Sequence, residues 1–157
     1  MIETNRVVVR LADGGVLKGT TVDFFPNRPT FHLRPRDGGE PVEIHCSSLK
    51  ALFFVKSFEG DRRRRDLRTF LAGPPQMAKG NKIAVHFADG ELLTGYSMNY
   101  SREKEGFVVF PADPRSNNLR IYVVSSAALE IATGPAANSL VERLQVAEKL
   151  QAVGPAS

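Results

Sequence analysis

Most of the stretch from Asn5 to Val55 is written a second time from Asn81 to Ile131. With the copies set about 76 positions apart, Asn5, Val9, Ala12, Asp13, Gly14, Leu17, Gly19, Phe31, Pro35 and Asp37 fall on Asn81, Val85, Ala88, Asp89, Gly90, Leu93, Gly95, Phe107, Pro111 and Asp113. Each copy is close to the smallest length that folds alone, so the halves are expected to pack on each other.

Within a copy the pattern is one of short strands. Val7, Val9 and Leu11 alternate with Arg10, and Ile83, Val85 and Phe87 alternate with His86, as half-buried strands require. Asp13-Gly14 and Asp89-Gly90 then supply the positive φ angles of a hairpin turn. The strand that follows holds Gly19 or Gly95, an interior glycine that marks a bend or the close approach of another backbone. A third strand carries Phe31 and Leu33, or Phe107 and Val109, and stops at Pro35 or Pro111. A fourth runs from Val42 to Cys46, matched with Arg120 to Val124. Ser47-Ser48-Leu49 and Ser125-Ser126-Ala127 suit a single 3₁₀ turn before a fifth strand with Ala51, Phe53 and Val55 inward.

Those elements predict a mainly β chain of two tandem, five-stranded SH3-like or Sm-like barrels, with a short linker helix and a C-terminal α-helix. The boundaries read 1–58 for the first barrel, 59–80 for an arginine-rich linker, 81–134 for the second barrel and 135–157 for the C-terminal helix and tail. In the linker, Asp61 can cap a short helix that ends before Gly73-Pro74-Pro75. In the tail, Asn138-Ser139 can cap a helix through about Ala152, with Leu140, Leu144, Ala147 and Leu150 at helical spacing. The outward Leu52 and Phe54 of the first copy stand against Glu130 and Ala132 of the second, so the first copy's outer face is expected to be covered, by the linker helix or by the sister barrel.

The net charge of +4 equals the contribution of Arg62, Arg63, Arg64 and Arg65, which leaves no broad basic face. No apolar run is long enough to span a membrane. The first residues run straight into a strand pattern, and Cys46 has no second cysteine to pair with, so the expected compartment is the cytoplasm.

The chain resembles an uncharacterised bacterial domain family on four motifs: Ala12-Asp13-Gly14, Leu17-Lys18-Gly19, Phe53-Phe54-Val55-Lys56-Ser57-Phe58-Glu59-Gly60, and Phe110-Pro111-Ala112-Asp113-Pro114-Arg115-Ser116-Asn117-Asn118 running into Ile121-Tyr122-Val123-Val124. The resemblance implies no activity, although such domains look like companions of bacterial signalling modules. The barrel pattern is also similar to the Sm and Hfq-like RNA-binding fold. There Asp23 and Asn27 would fall in the loop that reads bases, with Asn99 and Glu103 in the second copy. Both copies carry Ser-Ser where that fold has a basic residue and glycine, which removes its usual base pocket.

Candidate binding residues are few. Arg62, Arg63, Arg64 and Arg65 can pair with phosphates or simply solvate a helix face. Asp113, Arg115, Asn117 and Asn118 can present polar groups to a partner or build ordinary β-turns. His32, His45 and His86 lie on different strands without ligand spacing, so no metal is expected. Cys46 reads as a small core residue at an inward strand position. No acid pair or nucleophile constellation suggests an enzyme or a cofactor. The leading expectation is a non-catalytic regulatory or adaptor module that binds a protein partner. The alternative is a nucleic-acid or nucleotide module using Arg62 to Arg65, and a homo-oligomer through the C-terminal helix is a further partner class.

Overall fold

A computed structural model describes residues 4–59, 80–113 and 115–153, with no account of side chains from 148 onward. The first half contains β1 (Asn5–Leu11), β2 (Val16–Thr21), β3 (Thr30–Pro35), β4 (Val42–His45) and β5 (Leu49–Val55). The second contains β6 (Asn81–Phe87), β7 (Leu92–Ser97), β8 (Gly106–Pro111), β9 (Asn118–Val124) and β10 (Ala128–Thr133), followed by α1 (Pro135–Val153). One-turn 3₁₀ segments at Cys46–Ser48 and Ser125–Ala127 precede β5 and β10. The linker helix expected after Asp61, with Arg62 to Arg65, falls outside the described residues.

The hairpins show why each half needs its glycines. In the β1–β2 turn the Gly14 amide donates to Leu11 O and the Asp13 carboxylate accepts from the Gly15 amide at 2.8 Å. Only the glycine of each Asp-Gly pair takes a positive φ, +97° at Gly14 and +96° at Gly90, so the turn is longer than a two-residue hairpin. At Gly19 a side chain would run into the carbonyl of Arg34, and at Gly95 into the carbonyl of Phe110. These are the points where β2 crosses onto β3 and β7 onto β8: Gly19 pairs with Pro35, and Gly95 with Pro111.

All ten strands join one antiparallel sheet, in the order β10-β6-β7-β8-β9-β5-β1-β2-β3-β4. The sheet is open, which corrects the expectation of two closed five-stranded barrels. A closed first barrel would need β5 to meet β4. Instead β5 pairs with β9 of the other half, placing Ala51 opposite Val123 and Phe53 opposite Ile121. Within each half the pairing scheme is the same, since Val9 lies against Leu17 as Val85 lies against Leu93.

β5 and β9 are shared by two cores, one on each face of the pair. Leu52, Phe54, Tyr122 and Val124 pack with Val7, Val9, Phe31 and Leu33, while Ala51, Phe53, Ile121 and Val123 pack with Ile83, Val85, Phe87 and Phe107. All seven residues of β5 are buried. This reverses the facing read from the sequence: Leu52 and Phe54 point into the first half's own core, and Ala51 and Phe53 form the face that the second half covers. The fourth and fifth strands also sit one residue off the register read from sequence. Phe31 pairs with Ile44 and Phe107 with Val123, so Ile44 corresponds to Val123, and Ala51 to Glu130. A slip of one residue exchanges the two faces of a strand.

α1 begins earlier than Asn138 suggested. Gly134 turns the chain at φ +60° and Pro135 opens the helix, where its fixed φ suits the first turn and its missing N–H costs nothing. Ala137, Leu140 and Val141 are buried against Ala84, Tyr96 and Ala112, while Ala147 is exposed. Among the described residues, no helix is long and apolar enough to cross a membrane.

Candidate functional site

The loop singled out by its turn formers holds the two halves together. Asp113 is buried and accepts from the Arg115 amide at 2.9 Å. Asn117 donates to Ser57 O at 2.8 Å and accepts from the Ser57 amide at 3.1 Å, while its own carbonyl accepts from the Lys56 amide. Asn118 begins β9, with its amide on Ser116 Oγ at 3.0 Å. Arg115 alone of the four is exposed. Arg62, Arg63, Arg64 and Arg65 lie outside the described residues.

Asp23 closes the β2–β3 connection. It accepts from the His32 amide at 2.9 Å and pairs with His32 Nδ1 at 2.7 Å. Burial pushes the Asp23 carboxyl up, but the hydrogen bonds from His32 and Thr21 outweigh it and hold it below the usual range. Asn99 has the corresponding role in the second half, accepting from the Val108 amide.

One residue that sequence reading passed over seals the junction. Lys50 is buried on β5, and its ammonium donates to Asp89 at 2.6 Å and Glu91 at 2.9 Å on the β6–β7 turn, above the Phe87 ring. The Lys50 hydrogen bond holds the Asp89 carboxyl below its ordinary range. The two carboxylates are about half exposed, whereas the lysine is not. Removing the acids therefore strands a buried charge, while removing the lysine releases two solvated ones. The double variant Asp89→Asn, Glu91→Gln is expected to lose about 3 kcal/mol in urea titration, against about 1 kcal/mol or less for Lys50→Met. The reverse order would show that the lysine reaches water.

Two concave surfaces accompany this junction. A cleft of about 380 Å³ is lined by Cys46, Ser47, Glu105, Tyr122, Val124 and two serines. Cys46 opens a 3₁₀ turn at the place that Ser125 takes in the second half, rather than an inward strand position matching Val124. Its thiol donates to Arg28 O at 3.5 Å, and burial pushes its pKa up, which favours the protonated thiol. The Tyr122 hydroxyl is raised by burial, with smaller contributions from Cys46 and Glu105. Among the described residues, no three His, Cys, Asp or Glu side chains could hold a metal ion.

The second surface is a groove of about 300 Å³ beside β4, lined by Val16, Leu17, Leu33, Pro35 and Val42, with Lys18, Arg36 and Asp37 on its polar side. Val16, Leu17 and Val42 are 47%, 39% and 42% exposed. Leu17, although it follows the turn as an apolar strand residue, is therefore not part of the core. In the second half the residues at these places are covered: Leu92 by α1, Leu93 by the second core, and Ile121 by β5. β4 itself is the end of the sheet and pairs only with β3 among the described strands. The sequence did carry a signal: Val16-Leu17 and Leu92-Leu93 are adjacent apolar pairs, and one member of such a pair must face away from its own core.

A family model described as a family of unknown function (DUF6982) matches residues 3–133, which takes in both halves of the sheet. No curated protein and no solved structure matches the chain.

Proposed function

We propose that this chain, which belongs to the DUF6982 family of unknown function, is a non-catalytic regulatory or adaptor module that binds a protein partner through the open edge of its first half. The observation that carries this reading is the groove at Val16, Leu17 and Val42 beside a strand edge that is unpaired among the described residues. An edge strand offers a row of free N–H and C=O groups, and an adjoining apolar groove adds side-chain specificity to main-chain pairing. Each half is read as a small barrel-type unit of duplicated origin, open in both cases, the second covered at β9 by β5 and the first bare at β4 among the described residues. A bacterial signalling setting and a cytoplasmic location belong to the same reading.

The experiment is site-specific photocrosslinking in extract of the native host, with the reactive residue at position 42 or, as a control, at Val146 on α1. Protein adducts at position 42 only, retained at about 0.2 M salt, are expected, because apolar contacts are insensitive to salt. The competing outcome is the nucleic-acid module using Arg62 to Arg65. It would show as RNA or nucleotide binding that collapses between about 0.05 and 0.2 M salt and vanishes when all four arginines become alanine. That result, without a protein adduct, would overturn the proposal.

A further inference from the structure

The junction between the halves is a template for what the groove accepts. β4 and β9 hold the same place in their halves, since Leu33 pairs with Val42 as Val109 pairs with Ile121. β9 has β5 as a second neighbour, and β4 has none among the described strands. Across the β5–β9 pairing, Phe53 lies opposite Ile121 and Ala51 opposite Val123, and both join the cluster that contains Leu93 and Val109. The first-half counterparts of Leu93, Val109 and Ile121 are Leu17, Leu33 and Val42. All three line the groove. The groove is thus the first half's version of the slot that Phe53 fills in the second.

We propose that the groove and the β4 edge bind an extended strand of a partner protein, antiparallel to β4, with a small residue opposite Ile44, a cationic or polar one opposite Glu43 and an aromatic one opposite Val42. The inference rests on the protein-binding reading above and adds the partner's chemistry. The aromatic side chain enters the groove over Leu17 and Leu33, as Phe53 enters the second core. Glu43 is exposed, so the residue facing it stays in water and a positive charge there complements it. β4 has only four residues, follows Pro41 and carries Glu43, features that blunt indiscriminate edge pairing.

A second copy of the chain does not offer such a strand. The counterpart of β5 is β10, which puts Glu130 where β5 has Ala51. Glu130 is tied to Arg143 of α1 at 2.8 Å, and Ala132 on the same face packs against α1. Pairing β10 with β4 would carry that carboxylate toward an apolar core or strip the helix from its sheet, and an unpaired buried carboxylate is strongly unfavourable. α1 therefore occupies, on the second half, the face that the second half itself covers on the first.

The test uses the full chain and a fluorescein-labelled peptide of the Lys50–Val55 sequence with Leu52→Lys and Phe54→Lys, which keeps Ala51, Phe53 and Val55 on one face. Saturable binding by fluorescence anisotropy below about 0.1 mM is expected. Val42→Asp and Leu17→Asp in the protein, and Phe53→Asp in the peptide, should each weaken it about tenfold or more, while Val146→Asp leaves it unchanged. Circular dichroism melting confirms that each variant is folded, and the peptide change keeps the test valid should one protein variant fail to fold. No saturable binding at about 1 mM, or binding indifferent to all three changes, overturns the inference. If the peptide fails while foreign protein still crosslinks at position 42, this inference falls and the protein-binding reading stands; if both fail, both fall. A dimer by light scattering that Val42→Asp splits would make the occupant a second copy and also overturn the inference.

Discussion

Gly95→Val is expected to abolish cooperative folding, and Gly19→Val to do the same. A Cβ at Gly95 would stand on the Phe110 carbonyl and against Val109 Cγ1; at Gly19 it would meet the Arg34 carbonyl and Leu33 Cδ1. Overpacking costs about 1–3 kcal/mol when side chains can yield. Here the obstacle is backbone, held in place by the pairing of β7 with β8 or of β2 with β3, so relief requires those strands to part. The expected loss is above about 4 kcal/mol, a large share of the 5–15 kcal/mol typical of whole domains. Gly14→Ala is the control. Its cost is limited to the positive φ of an exposed turn, about 1 kcal/mol, because nothing lies within contact range of the added methyl. Thermal melts by circular dichroism decide the matter, and a Gly95→Val chain melting within a few degrees of wild type would refute the close approach.

The glycines were readable because a strand interior has no other use for a residue without a side chain, and because the same residue recurs in both copies. Strand identity, the hairpin turns and the C-terminal helix were legible for the same reason: each is a local pattern of two to four residues. What was not legible was which edges pair. β5 and β4 of one half carry the same alternation whether they meet each other or a neighbour, and the alternation of β5 is apolar on both faces. That double-sided run of Ala51, Leu52, Phe53, Phe54 and Val55 is the trace of a strand buried between two cores. The one-residue slip between the fourth strands has a related cause. Measured between paired residues, the β8–β9 hairpin runs from Val109 to Ile121 and the β3–β4 hairpin from Leu33 to Val42, three residues less, and an alignment anchored on earlier strands carries no information about that difference. The groove is not legible in the sequence because exposure of Val16, Leu17 and Val42 depends on which strand lies beside β4, and among the described residues none does, a property of the sheet order rather than of those residues.

The shared strands lead to the second large effect. Phe107 is 1% exposed in the second core, with Tyr100 edge-on at 4.8 Å. Phe107→Ala is expected to cost about 3–5 kcal/mol, from lost burial and the cavity left behind. In two independent barrels that loss would stay in the second half. Here β5 and β9 give alternate residues to each core, so the second half cannot open without taking Tyr122 and Val124 away from Val7, Val9 and Leu52. Amide hydrogen exchange measures the difference. Protected amides of β1, in the first half, should exchange about a hundredfold to a few thousandfold faster in Phe107→Ala, by the same factor as those of β6, because both then report one global opening. Phe31→Ala, equally buried in the first core, should give the mirror result. Acceleration confined to the mutated half would mean that the β5–β9 pairing opens separately and that the two cores do not fold as one unit.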